Sequence, residues 1–490
     1  MTTPDFARIE AVDGVIIGGG IAGVAIAEYL ARHTSLRLKL LEEGPQLGTG
    51  ASGKLEGWFH TGGLYAGQDD GQTFMNCVNS VEDLLNHYSD YFGDHCNLTL
   101  TENQPQHWQP QIVPQKEGWF NTNPVYLIHP RNPSPELHCS GLKGDEVQLN
   151  LHLKRVLGRL AVAYGGGHNW LQSGRCLAPS YAQIENYEGR ACPLLTTVTT
   201  LGEYCRHFDQ SWGLAPTDYA LIHSFDRAMD TYRIFCDLVA SGLSQGLQLE
   251  TGITLEHLNG DRYGPVRLKS VVYRNAQGEL KYLKAQFFVF ATGAKFTPFL
   301  QELQVRAQLK RSLSAMILAY PALSNYNFVR MSTKNPFHFN HFLQSLERQG
   351  QTLQYSMLAN SGYSNEERQE TVDIEPLLET AERYFGSQRL YDRQLWSYTC
   401  TKTEFISDDE QKRRYSYWLE SSPQSNYLCV LPGKFSFFPT VALQAFRRLK
   451  TLMPLPVRPA PPSLLVDAQT LAQTQKVVAL PYPQQLIASR

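Results

Sequence analysis

Residues 14–23 read Gly14-Val15-Ile16-Ile17-Gly18-Gly19-Gly20-Ile21-Ala22-Gly23, and Val24 to Leu30 continue the run. An apolar, β-branched strand leads into G-x-G-x-x-G, and the glycines lead into a helical pattern. This order is what a dinucleotide site needs. Gly18 permits the tight turn, Gly20 lets a pyrophosphate approach the backbone, and Gly23 lets the helix pack close to the sheet. The phosphates then meet the free N–H groups of the helix N-terminus at Ile21 and Ala22. A second apolar run, Leu36 to Leu41, ends in Glu42-Glu43-Gly44. Glu42 lies 24 positions beyond Gly18 (42 − 18), near the ~20 expected for the acid that takes the ribose hydroxyls. Strand, turn, helix, strand and acid thus occur in the order of a dinucleotide-binding βαβ unit.

The bulk numbers narrow the function classes. The chain has 490 residues and a net charge of −2, so a large core is expected and no nucleic-acid footprint appears. No signal-peptide pattern precedes Glu10 and no apolar run is long enough for a membrane span. A cytoplasmic protein is expected, with peripheral membrane contact left open. Nine scattered cysteines without a C-x-x-C pair read as reduced, mostly buried thiols. The histidines show no zinc spacing, so no metal is expected. Gly48 to Leu55 fits G-x-x-x-x-G-K, but Leu55 replaces the Ser/Thr that would ligate magnesium.

Along the chain, Phe74–Phe92, Asp230–Gly246 and Val441–Leu452 carry helical periodicity, as does Leu151–Tyr164. Leu247–Leu255, Val266–Tyr273, Tyr282–Phe290 and Tyr427–Leu431 read as strands. The nucleotide pattern returns after long stretches of different character, which predicts interleaved domains. The strand Phe287 to Phe290 runs into Ala291-Thr292-Gly293, small residues past which a ligand can lie close to the backbone. A last apolar strand meets Pro432-Gly433-Lys434-Phe435-Ser436.

Together these segments resemble flavoproteins with a glutathione-reductase-type nucleotide domain. Ala51-Ser52-Gly53-Lys54-Leu55-Glu56-Gly57-Trp58-Phe59-His60-Thr61-Gly62-Gly63-Leu64-Tyr65 makes the resemblance specific. It is similar to the flavin-facing loop of the D-amino-acid-oxidase-type superfamily, nearest the L-2-hydroxyglutarate and glycerol-3-phosphate dehydrogenase branch. Ser52, Gly53, Gly57, His60 and Gly62 match that pattern. Lys54 stands where Arg is usual, and Leu55-Glu56 replace small polar residues. The resemblance implies an α/β fold: a Rossmann-like FAD-binding domain from residues 1–96, 226–300 and 401–452, with an interleaved α+β substrate domain from 97–225 and 301–400. Residues 453–490 are expected to be a proline-rich connector and a tail.

The resemblance implies that FAD is held by Gly18, Gly20, Ile21, Ala22, Gly23, Glu42, Glu43, Ser52, Gly53, Ile253, Ala291, Thr292, Gly293, Gly433, Lys434, Phe435 and Ser436. The helix N-terminus after Gly433 would face the flavin with its positive dipole. The chemistry implied is oxidation of a C–H bond next to a hydroxyl or amine of a small polar substrate, with hydride transfer to flavin. Electrons would then pass to oxygen or another acceptor. His60 has three readings: a base, a covalent flavin anchor, or a hydrogen-bonded structural histidine. Lys54 and Lys434 are candidate substrate or flavin contacts, with solvated lysine as the plain alternative. Lys295, Lys402 and Glu404 follow more weakly. Two rival functions are a flavoprotein assisting a non-redox cyclisation or isomerisation, and a nucleotide-binding module without catalysis.

Overall fold

The computed structural model describes residues 9–68, 71–100, 110–112, 118–121, 123, 125–130, 152, 155–156, 159–160, 219–224, 226–261, 266–331, 338–364, 371–406, 416–422 and 424–489. Gly14–Ile17, Phe287–Phe290 and Tyr427–Leu431 are buried along their whole lengths, as expected for strands covered on both faces. They form the middle of a six-stranded sheet with the order Gln248–Thr251, Leu38–Glu42, Gly14–Ile17, Phe287–Phe290, Tyr427–Leu431, Trp418–Glu420. The first five strands are mutually parallel and the last is antiparallel.

Alternate residues of these strands serve two cores. Ile16, Leu38, Leu40, Val289 and Val430 pack against the helices Ile21–His33, Thr231–Ser244 and Phe438–Leu452. Val15, Ile17, Leu41, Phe288 and Cys429 pack against Leu258, Val271, Tyr273 and Leu283 of a four-stranded sheet. The Thr231–Ser244 helix is started by Asp230, whose carboxylate accepts the Arg233 N–H at 3.0 Å. Within the first helix Glu28 and Arg32 are buried and paired at 2.6 Å. Ser241 donates to the same carboxylate from the neighbouring helix.

A seven-stranded sheet builds the second layer. Its order is Gln394–Ile406, Gln308–Tyr320, Gln351–Ser364, His338–Arg348, Asn327–Met331, Val125–Pro130, Tyr219–Ser224. The helix Glu375–Phe385 covers one face through Leu377, Ala381 and Phe385.

The structure departs from the sequence reading at several places. Tyr282–Phe290 is two strands, because Gln286 donates to the Asp13 carbonyl and swings Phe287 opposite Gly14. Leu280–Lys284 stays in the four-stranded sheet. Leu247–Leu255 likewise divides between Gln248–Thr251 and Thr254–Asp261. The Phe74–Phe92 helix runs from Gln72 to Leu84 and then widens into a π turn over Leu85–Ser89. Residue 401 falls inside the continuous strand Gln394–Ile406, so a boundary there cuts the seven-stranded sheet. Most of Leu151–Tyr164 lies outside the described residues.

The C-terminal segment is a packed strap. Leu47 donates to Val477 O and accepts from Ala479 N. The helix Tyr482–Ala488 reaches the other sheet, where Gln484 donates to Ser345 O. No described helix is long and apolar enough to cross a membrane.

Burial holds His33 and His338 down at about 3 and His341 at about 4. All three stay neutral in the folded chain at pH 5, whereas unfolded histidine protonates below ~6.5. The unfolded state then binds more protons, so their contribution is full above ~6.5 and is lost as pH falls toward 4. His95, raised by its bond to Asp237, opposes this, and so do the buried carboxyls of Asp83, pushed up to about 6, Glu82 and Asp230. The melting temperature is expected to be roughly 5 °C or more lower at pH 5 than at pH 7.5. A flat melting profile across that range would contradict the assignment.

Candidate functional site

The turn after the first strand supplies the floor of the site. Gly18 has φ +110°, and a Cβ there would lie 2.4 Å from the Ala291 carbonyl oxygen. A Cβ on Gly23 would lie 1.9 Å from the Gly18 carbonyl oxygen. At Gly20 the nearest atom to such a Cβ would be Ser52 Oγ at 3.5 Å, so that face is open to a ligand. The helix starting at Ile21 has no side-chain cap on its Gly20 N-cap, and its first-turn N–H groups have no intrahelical acceptor. Ser52 Oγ accepts the Ile21 N–H at 3.1 Å.

Around this turn lies a cavity of about 420 Å³, within the range of ligand sites. Gly18, Gly20, Ile21, Ala22, Glu42, Glu43, Ser52, Ile253, Ala291, Thr292 and Gly293 line it. So do His60, Gly433, Lys434 and Phe435. The seven-stranded sheet adds Ser314, Met316, Asn360 and Cys400–Thr403. Glu42 braces the loop on both sides, accepting from Gly19 N at 2.5 Å and Gly44 N at 2.7 Å. Glu43 pairs with Lys295 at 2.7 Å. The Thr292 hydroxyl is buried and has no hydrogen-bond partner among the described residues.

His60 sits where the two sheets meet. Its ring packs on Trp58 with centroids 4.1 Å apart and on Tyr65 at 5.3 Å. Its Nδ1 is buried with no hydrogen-bond partner among the described residues. Burial, and then the charges of Lys434, His338 and Lys402, hold the imidazole well below its ordinary value, so it is neutral at physiological pH. Lys434 donates to Tyr65 Oη at 2.5 Å. Burial and the nearby Lys402 lower its ammonium to about 8. Gly433 makes the turn possible: its φ is +66°, and a Cβ would lie 2.3 Å from Ser416 O. The turn feeds the helix Phe438–Leu452, which carries Pro in its first turn.

Four expected site residues stand outside the cavity wall. Gly23 and Gly53 lie behind it, each pressed against a backbone carbonyl, Gly18 O and Gly48 O respectively. Ser436 is buried, and its carbonyl accepts from Ser80. Lys54 turns away, its ammonium 5.4 Å over the Tyr482 ring of the C-terminal helix. Lys54→Met is therefore expected to leave kcat and KM within about twofold, consistent with a half-exposed cation–π contact outside the cavity. Steady-state kinetics with any turned-over substrate checks this, and a tenfold rise in KM would return Lys54 to the site.

Sequence reasoning missed Trp58 and Tyr65, although both flank His60 in the matched loop. It also missed Asn360, Cys400 and His338, and gave Lys402 little weight. These four lie on strands of the seven-stranded sheet, and only the fold brings Asn360, Cys400 and Lys402 to the cavity wall and His338 against Trp58. Among the described residues, no group of three His, Cys, Asp or Glu side chains could hold a metal ion.

Comparison with known proteins bears on the family and the fold. A family model described as "DAO: FAD dependent oxidoreductase" matches residues 13–416. Solved structures share the fold. An FAD-dependent oxidoreductase from Pseudomonas aeruginosa has a TM-score of 0.55 at 14% identity, covering 99% of each chain. An L-α-glycerophosphate oxidase from Mycoplasma pneumoniae has a TM-score of 0.56 at 12% identity, covering 94% of this chain and 100% of that one. A glycine oxidase from Geobacillus kaustophilus has a TM-score of 0.53 at 14% identity, covering 93% and 99%. No curated protein sequence matches the chain.

Proposed function

The chain belongs to the DAO family of FAD-dependent oxidoreductases, and from that premise we propose that it oxidises a C–H bond next to a hydroxyl or amine of a small, anionic substrate. One observation carries this reading. A single cavity joins the dinucleotide turn to a neutral His60 and two lysines, Lys402 and Lys434. The nucleotide end fits the cofactor: Gly20 leaves room for phosphates, and the buried Thr292 hydroxyl lacks a partner among the described residues. Gly18 to Ala22, Ser52, Glu42 and the Ala291–Gly293 turn would hold it there. When bound, FAD supplies the hydride acceptor.

The chain's own residues do the rest. His60, kept neutral by burial, accepts the proton of the substrate's hydroxyl or amine. Lys434 and Lys402 attract the anionic group and turn the reacting carbon toward His60. The N-terminus of the Phe438–Leu452 helix adds positive potential on the same side. Electrons leave to oxygen or another acceptor. A reducing, cytoplasmic setting fits the thiols at Cys77 and Cys236.

Anaerobic mixing with panels of hydroxy acids, amino acids and polyol phosphates tests the proposal. Bleaching of the flavin's visible absorption by one class is expected. Bound FAD that no class bleaches would overturn the redox reading and favour a non-redox role.

A further inference from the structure

We propose that Tyr65, which lies behind the cavity wall, is a positioning residue that keeps Lys434 protonated and aimed at the anionic end of the substrate. This rests on the reading of Lys434 given above. Tyr65 is buried, at 3% exposure, and is not a cavity-lining residue. It closes a short 3₁₀ turn, Gly63–Tyr65, which follows Gly62 at φ +116°. Its N–H donates to the Gly62 carbonyl, so the ring has a fixed base.

Two features of Tyr65 act on the same ammonium. Lys434 Nζ donates to Tyr65 Oη at 2.5 Å and stands 4.4 Å from the ring centroid. An oxygen lone pair and an aromatic face both favour the charged form. Opposing influences surround the lysine. Burial disfavours its charge, and Lys402 on the seven-stranded sheet is a like charge. His60 and His338 are neutral and give no compensation. Glu404 and Glu56 pull the other way through space. Tyr65 supplies direct contact as well. Its ring also packs against His60, so one side chain supports both groups assigned to the reaction.

The consequence is a split between binding and turnover. Without the Oη acceptor, Lys434 loses its proton at lower pH and binds anions less well. KM for the anionic substrate is then expected to rise several-fold at pH 8, with kcat at saturation little changed. A purely structural role would not make the KM change depend on pH.

Tyr65→Phe tests this, because it keeps the ring against His60 and removes only the oxygen. The first readout needs no turnover: acylation of Lys434 by acetic anhydride against pH, followed by mass spectrometry, on the full chain with FAD bound. The midpoint is expected to fall by about one pH unit, giving roughly tenfold more neutral Lys434 below it. An unchanged or raised midpoint overturns the role of Tyr65, whatever KM does. A lowered midpoint with an unchanged KM supports the hold of Tyr65 on Lys434 but overturns Lys434 as the substrate's anchor. Should Tyr65→Phe fail to fold, Tyr65→Met also removes the acceptor oxygen while filling the place with an apolar side chain. Its midpoint must move in the same direction, or the proposal fails.

Discussion

A Gly23→Ala protein is expected to be isolated without FAD, with at least a hundredfold weaker cofactor affinity. The added methyl would sit 1.9 Å from the Gly18 carbonyl oxygen, with Ala291 Cβ 3.5 Å away. The oxygen is backbone, so no side chain can rotate to make room. Either the helix shifts away from the sheet or the Gly18 turn deforms, and both displace the N–H groups proposed to meet the phosphates. Overpacking of this kind costs roughly 1–3 kcal/mol or more, so a lower melting temperature should accompany the loss. Flavin absorption per mole of purified protein and FAD titration monitor the first effect. Gly20→Ala is the informative partner: its methyl meets only Ser52 Oγ at 3.5 Å. It should fold normally and lose affinity only through contact with the cofactor. Equal FAD content in Gly23→Ala and the parent would refute the account of the turn.

The second large effect is on turnover. His60→Gln is expected to lower kcat by roughly 10²–10⁴-fold, the usual contribution of a positioned base, with FAD content unchanged. His60 suits the task because burial and the charges of Lys434, His338 and Lys402 disfavour its protonation. It therefore stays an available base as pH falls through 6.5, where a free imidazole would not. The parent should show no acid limb from this group near pH 6.5. Lys434→Met removes one of the named charges, so it should move the acid limb upward. A His60→Gln protein within tenfold of the parent's kcat would remove the base role. Acid precipitation of the parent separates the base from a covalent anchor, since a non-covalent cofactor leaves with the supernatant.

The glycine-turn end of the cavity was legible because its constraints are local. Gly18, Gly20 and Gly23 are fixed by distances within one turn, and Glu42 follows from the length of one βαβ unit. The Ala291–Gly293 and Gly433–Lys434 turns announce themselves as small residues after buried strands. The substrate end was not legible, since its residues come from strands whose pairing no short-range pattern encodes. Lys402 and Cys400 reach the cavity only because Gln394–Ile406 pairs with Gln308–Tyr320. Lys54 was misplaced for a similar reason. Its neighbour Tyr482 belongs to a tail whose docking the proline-rich connector hides. The first helix shows the same limit: Glu28 and Arg32 look like surface residues four apart. They are buried because Ser241 and the His87 carbonyl complete their hydrogen bonds from distant segments.

The place of Phe287–Phe290, between Gly14–Ile17 and Tyr427–Leu431, bears on how the chain is made. The glycine turn leaves the ribosome early, but the strand beside it comes much later and the Gly433 turn later still. Until then Val15, Ile16 and Ile17 have a strand partner on one side only, Leu38–Glu42, and the open apolar edge is prone to aggregation. Pairings so distant in sequence also close slowly. Capture of FAD should thus be a late event, and its yellow colour a report that the last segment of the sheet has docked. Refolding with FAD present, or synthesis with a chaperone that shields the early strand, should raise the yield of the coloured form.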